Sequence, residues 1–102
     1  MMTRDQILCL LERYEQQLHY HFPSATACRR SNGSPLFSRV EHLLWMISEI
    51  RLTLDPSKAV RGQIAKAARW LGFVEGSMVV LGFFTQEEVQ MLDVESAMSG
   101  VE

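Results

Sequence analysis

Apolar residues along this chain recur at helical spacing in four blocks, and nowhere do they alternate as a strand requires. The first block carries Ile7, Leu11, Tyr14 and Leu18, with Leu8, Leu10 and Phe22 widening the stripe. Thr3 and Gln6 form a capping box in front of it and Pro23 stops it, which predicts a helix over 4–21. Residues 22–34 break the pattern with turn formers around Cys28, Arg29 and Arg30; a stretch of this length is either a contact loop or a mobile connector. Ser34 and Pro35 then read as an N-cap and first turn. They open a helix over 35–54 with Val40, Leu43, Leu44, Ile47, Ile50 and Leu54 inward and Arg39, Glu41, Glu49 and Arg51 outward. Asp55-Pro56 repeats that punctuation and starts a third helix over 56–81. Gly82 is its expected left-handed cap. Thr85 with Glu88 caps a fourth over 86–98, with Val89, Leu92 and Val94 or Met98 inward. The pattern is that of an all-α chain, a compact bundle of about four helices in one domain over 1–102.

The third helix is the unusual one. Val60, Ile64, Ala67, Ala68, Leu71, Val74, Met78 and Leu81 gather on one side, with Lys58, Arg61, Lys66 and Arg69 opposite. Beyond Arg69 the polar side ends: Phe73, Gly76 and Val80 continue the line of the bases, with Trp70 beside them. A helix that is apolar all round has to be covered all round. The bases show this side facing water one turn earlier, so the expected cover is another molecule rather than the rest of the bundle. Gly72 and Gly76 each cost about 1 kcal/mol relative to alanine inside a helix. Spaced by four, they leave a flat strip where another helix can approach closely. Trp70, Gly72, Phe73, Gly76 and Val80 are therefore the candidates for self-association. Glu75 stands inside the apolar run, and a buried carboxylate needs a partner, so pairing with Arg51 or Arg69, or a place at an interface edge, is expected.

Length, 102 residues, suits one domain, and 47% hydrophobic with 22% charged residues is an ordinary globular balance. A net charge of −2 gives no overall pull toward nucleic acid or an anionic membrane. The charge is uneven, however. Residues 57–84 carry Lys58, Arg61, Lys66 and Arg69 against Glu75, whereas residues 85–102 carry Glu87, Glu88, Asp93, Glu95 and Glu102 with no base. Two such regions can attract each other or their counterparts on a second copy. Arg29, Arg30, Lys58, Arg61, Lys66 and Arg69 are the candidate partner-binding residues. The longest apolar stretch, Trp70 to Phe84, is 15 residues long and interrupted by Glu75, short of the roughly 20 that a bilayer span needs. Two cysteines do not make a disulfide framework, and Cys9, among Ile7, Leu8, Leu10 and Leu11, reads as a small core residue. No secretory leader precedes the first helix, so a cytoplasmic protein is expected.

Chemistry is sparse. His19 and His21 lie two apart on a helix and point to different sides, and adding Cys28 matches no zinc spacing. No serine or cysteine sits in a nucleophile elbow, and Glu87 with Glu88 suits the dipole of a first helical turn. Trp45, Trp70, Phe73 and Phe84 suit a core better than a base-stacking platform. Neither a catalytic residue nor a metal or cofactor site is expected, and the chain does not read as an enzyme.

At residues 69–88, RWLGFVEGSMVVLGFFTQEE, the chain resembles small helical proteins encoded by phages and prophages that share an R-W-L-G-F-x-x-G…G-x-x-T-x-x-E segment. Arg69, Trp70, Leu71, Gly72, Phe73, Gly76, Gly82, Thr85 and Glu88 fit it. Glu75, Val80 and Gln86 depart from the glutamine, tryptophan and isoleucine usual there. The likeness covers about a fifth of the chain and carries no catalytic role. It implies a setting, that of phage regulators or counter-defence proteins of the anti-CRISPR kind, which bind a host protein complex in a bacterial cytoplasm as a monomer or homo-oligomer. Two other functions stay open: a nucleic-acid-associated regulator using Lys58, Arg61, Lys66 and Arg69, and a sponge for a small anionic nucleotide ligand.

Overall fold

The computed structural model describes residues 2–30, 33–58 and 63–99. Among them the chain forms four α-helices and no strand: α1 Arg4–His21, α2 Pro35–Thr53, α3 Gln63–Val80 and α4 Gln86–Ser99. Local sequence sets most of these limits. The Thr3 hydroxyl accepts from the Gln6 amide at 3.2 Å while the Gln6 side chain accepts from the Thr3 amide at 2.8 Å, closing the capping box of α1. Thr85 and Glu88 repeat it at α4, at 2.9 and 3.1 Å. Ser34 caps α2 with Pro35 in its first turn. Gly82 takes φ +82 after α3, and the amides of Phe83 and Gly82 bond back to the carbonyls of Met78 and Val79 as a Schellman motif.

The third helix starts later than the sequence pattern suggests. Pro56–Lys58 is a short 3-10 turn, held by the Asp55 carboxylate, which accepts from both the amide and the hydroxyl of Ser57. Val60 and Arg61 lie outside the described residues, as does the side chain of Lys58.

α1 and α3 form the centre, each packing against the other three helices, and α2 and α4 occupy opposite flanks. The inward stripes meet there: Ile7, Leu11, Tyr14 and Leu18 from α1, Val40, Ile47 and Ile50 from α2, and Leu71, Val74 and Met78 from α3 are all fully buried. Val89 and Leu92 close the core from α4. Cys9 and Ile64, both expected in the core, are exposed. Cys9 is two residues from both Ile7 and Leu11, and that interval turns its thiol outward. Ile64 lies on the inner stripe but in the first turn of α3, at the margin of the packed face. Of the alternatives Val94 and Met98, Val94 is two residues past Leu92 and exposed, and the side chain of Met98 lies outside the described residues.

Glu75 has neither of the arginine partners expected for it. It lies one residue from Val74 on the inner side of α3, whereas Arg69 is on the outer side. Arg51 is engaged elsewhere, in a bidentate pair with Glu15 of α1 at 2.6 and 3.2 Å. The partner of Glu75 is the buried Tyr14, whose hydroxyl donates to its carboxylate at 2.6 Å. Burial pushes the Glu75 carboxyl up to about 7; the Tyr14 hydroxyl pulls it down, and Asp93 of α4 pushes it up by hydrogen bonding and by charge. Burial and the same carboxylate also raise the Tyr14 phenol, which stays protonated. Tyr14, Glu75 and Asp93 thus join α1, α3 and α4 at one polar point in the core.

That point ties stability to pH. Glu75 titrates higher in the folded chain, at about 7, than its ordinary 4.5, so the folded state holds the extra proton between these values. Its contribution is complete below about 4.5 and is lost as pH rises through about 7. Urea unfolding across this range is expected to show stability falling with pH in the wild type. Glu75→Gln, which keeps an acceptor for Tyr14 without a charge, flattens that component; an unchanged slope would contradict it.

Candidate functional site

The stretch from 22 to 30, open in the sequence between contact loop and connector, is tied to the bundle. Ala25 is buried, and Glu41 of α2, expected on the outer face, is buried beneath the loop. Its carboxylate accepts from the amide and hydroxyl of Thr26 at 2.9 and 3.2 Å, and its backbone carbonyl accepts from the Cys28 amide at 3.1 Å. His42 Nδ1 lies 3.1 Å from the Arg29 carbonyl oxygen. Arg29 and Arg30 are therefore exposed at the end of an anchored segment, directly over α2.

Between α2 and α3 this arrangement forms a groove of about 820 Å³. Its floor is apolar: Leu43, Leu81, Phe73 and Val80, with Gly76 keeping the α3 side low. Phe73 is 59% and Val80 80% exposed, so no other helix of this chain covers them. Arg29, Arg30 and Arg39 stand along the rim with His42. A second hollow of about 300 Å³ shares His42 and Phe73 with the first and extends it past Trp45, Met46, Trp70 and Arg69. Charge and aromatic surface are interleaved here. The Arg29 guanidinium lies 5.5 Å from the centre of the Trp45 ring, His42 stacks on the same ring, and the Lys66 ammonium lies 5.5 Å from that of Trp70.

No carboxylate lines either hollow among the described residues, and no ion pair engages Arg29, Arg30, Arg39 or Arg69 there. Four guanidinium groups thus face an apolar floor without internal neutralisation. A surface of this kind suits a ligand that is anionic at its edges and apolar through its middle.

Two groups of sequence candidates come together in this place. Arg29 and Arg30 from the loop, and Arg69, Trp70, Phe73, Gly76 and Val80 from α3, border one continuous groove. Lys66 joins it through Trp70. Gly72 is exposed on α3 beside it. Arg39 and His42 were not singled out by the sequence, where Arg39 reads as an ordinary residue of the wet face of α2. Their only local signal is that they stand one turn apart around the buried Val40 and Leu43. Neither a known family model nor any curated protein or solved structure matches this chain. None of the helices, among the described residues, is long and apolar enough to cross a membrane.

A Cβ built at Gly72 or Gly76 meets nothing within 4 Å, so no packing inside the chain requires either glycine. Gly72→Ala and Gly76→Ala are each expected to stabilise the isolated chain by about 0.5–1 kcal/mol, read as a rise in the thermal midpoint. A loss of stability at either would show that the site is not open. Glu41→Ala should cost about 1–3 kcal/mol. It should also abolish hydrogen-exchange protection at the Thr26 amide while leaving the α1 amides slow.

Proposed function

We propose that this chain is a non-enzymatic binding protein that seats an acidic, amphipathic helical segment of a partner protein in the groove between α2 and α3. The observation that carries this is the pairing of exposed Phe73 and Val80 with four arginines, Arg29, Arg30, Arg39 and Arg69, and no carboxylate. Helix-in-groove recognition needs an apolar trough for anchors at helical spacing and flanking charge to fix register. The groove supplies both. A floor built on Leu43, Val80 and Leu81 favours aliphatic and aromatic anchors over a polyphosphate backbone, which places a protein segment ahead of nucleic acid. A small nucleotide would use the arginines but leave most of the apolar floor wet.

The likeness of residues 69–88 to phage-encoded proteins supports a setting for this activity, because Arg69, Trp70, Phe73 and Gly76 of that segment border the groove. On this reading the partner belongs to a host defence complex in the bacterial cytoplasm, and the chain inhibits it by occupying a surface, as anti-CRISPR-like proteins do.

Capture from bacterial lysate with the full chain, followed by cross-linking to map the bound segment, tests the proposal. The expected result is a host protein linked to the groove through a segment rich in acidic and apolar residues. The Arg39→Glu/Arg69→Glu variant should lose about tenfold or more of it. Equal capture by the variant, or linkage through a basic segment, overturns the reading. So does a nucleic-acid gel shift that falls steeply with salt, or a thermal midpoint raised by a nucleotide, when no protein is captured.

A further inference from the structure

α4 carries on its outer side what the groove lacks. Glu87, Glu88 and Glu95 are exposed, and no basic residue occurs from Thr85 to the end of the helix. Between these acids lie Met91 and Val94, 62% and 58% exposed. Glu87, Met91 and Val94 follow one another at intervals of four and three, which sets them in a single stripe along the helix. The stripe is an acidic, amphipathic segment of the chemistry the groove fits, and it belongs to this same chain.

The chain cannot bring its own stripe to its own groove. α4 packs on α1 and α3, on the opposite flank from α2, and Met91 and Val94 are exposed, with nothing among the described residues covering them. A second copy is free of that restriction. Resting on the reading of the groove given above, we propose that its resting occupant is α4 of a second copy of this chain, so that self-association masks the groove until a host segment displaces it.

In this contact Met91 and Val94 of the incoming helix lie on Phe73 and Val80. Glu87 and Glu95 meet Arg39 and Arg69, and the open surface at Gly76 lets the helix approach closely. Two copies that exchange α4 reciprocally form a closed dimer. Copies that pass it onward form a ring or a longer assembly. Both arrangements use the same pair of surfaces.

Light scattering on size-exclusion fractions, at low and high salt, reads the result with the full chain. The wild type should self-associate at tens of micromolar, about tenfold or more weakly at high salt. Glu87→Lys/Glu95→Lys should be monomeric, and so should Arg39→Glu/Arg69→Glu; all four positions are exposed, and circular dichroism confirms that each variant folds. Mixing the two variants should restore an assembly containing both. A monomeric wild type, or assembly indifferent to both variants, overturns self-docking. The cross-linking result with a host segment is independent of it, so capture by a monomeric wild type would leave the groove's reading intact. Restored assembly in the mixture without any captured acidic host segment would leave self-docking in place and remove the host partner.

Discussion

α3 touches all three other helices, yet they cover only one of its sides. Leu71, Val74 and Met78 take up that side, and α2 and α4 fill the flanks, so among the described residues no fourth neighbour covers the line through Arg69, Phe73, Gly76 and Val80. The rest of the molecule follows from this shortage. With α1, α2 and α4 all on one face of α3, the other face meets no further helix among the described residues. The usual division of a helix is disturbed at two positions, with the acid Glu75 half-buried against Tyr14 and the large apolar Phe73 outside. Neither placement is what burial alone would select.

The half-buried acid and the exposed apolar surface are connected through α4. Glu75 is held by the Tyr14 hydroxyl and sits beside Asp93, whose buried Oδ1 has no hydrogen-bond partner among the described residues. A protonated Glu75 relieves that site by offering Asp93 a donor, which is one physical reason for its raised pKa. A polar point of this kind adds little net stability, but it distinguishes one rotation of a helix from another. With Asp93 turned toward α1 and α3, Glu87, Met91 and Val94 have to face outward. Turning Asp93 out would take its carboxylate away from Glu75 and bury the acidic stripe. The core pair and the outer stripe are two consequences of one helix orientation.

What the sequence reveals and what it hides divide along the range of the interactions. Thr3 with Gln6, Thr85 with Glu88, and Gly82 set helix ends within a few residues of themselves, and the structure keeps all of them. The inner stripes of α1 and α2 are equally local, being a matter of spacing. Cys9 misled because neighbours in sequence are not neighbours on a helix. Glu41, Arg39 and His42 were illegible for a different reason. The burial of Glu41 and the basic rim both arise because residues 22–30 fold back over α2, and nothing in the pattern of α2 records which segment will lie on it. The partner of Glu75 was hidden likewise, since Tyr14 is 61 residues away and reads as an ordinary core aromatic.

Net charge is a poor guide to such a surface. At physiological salt the Debye length is about 8 Å, so a partner at contact feels the charges within about one helix diameter and little beyond. On this chain those charges are segregated. Arg29, Arg30, Arg39 and Arg69 border the groove, and Glu87, Glu88 and Glu95 lie on the far flank. A total of −2 averages two regions of opposite sign that lie on different flanks of the chain. Had the acids been spread among the arginines, surface ion pairs of about 0–1 kcal/mol each would have neutralised the rim at little gain in stability. Their separation leaves fold stability nearly unaffected and makes two surfaces of opposite sign, each with an apolar centre. On the proposed binding role, such surfaces would discriminate between partners, because the wrong sign at the rim is repelled before the apolar centre can be reached.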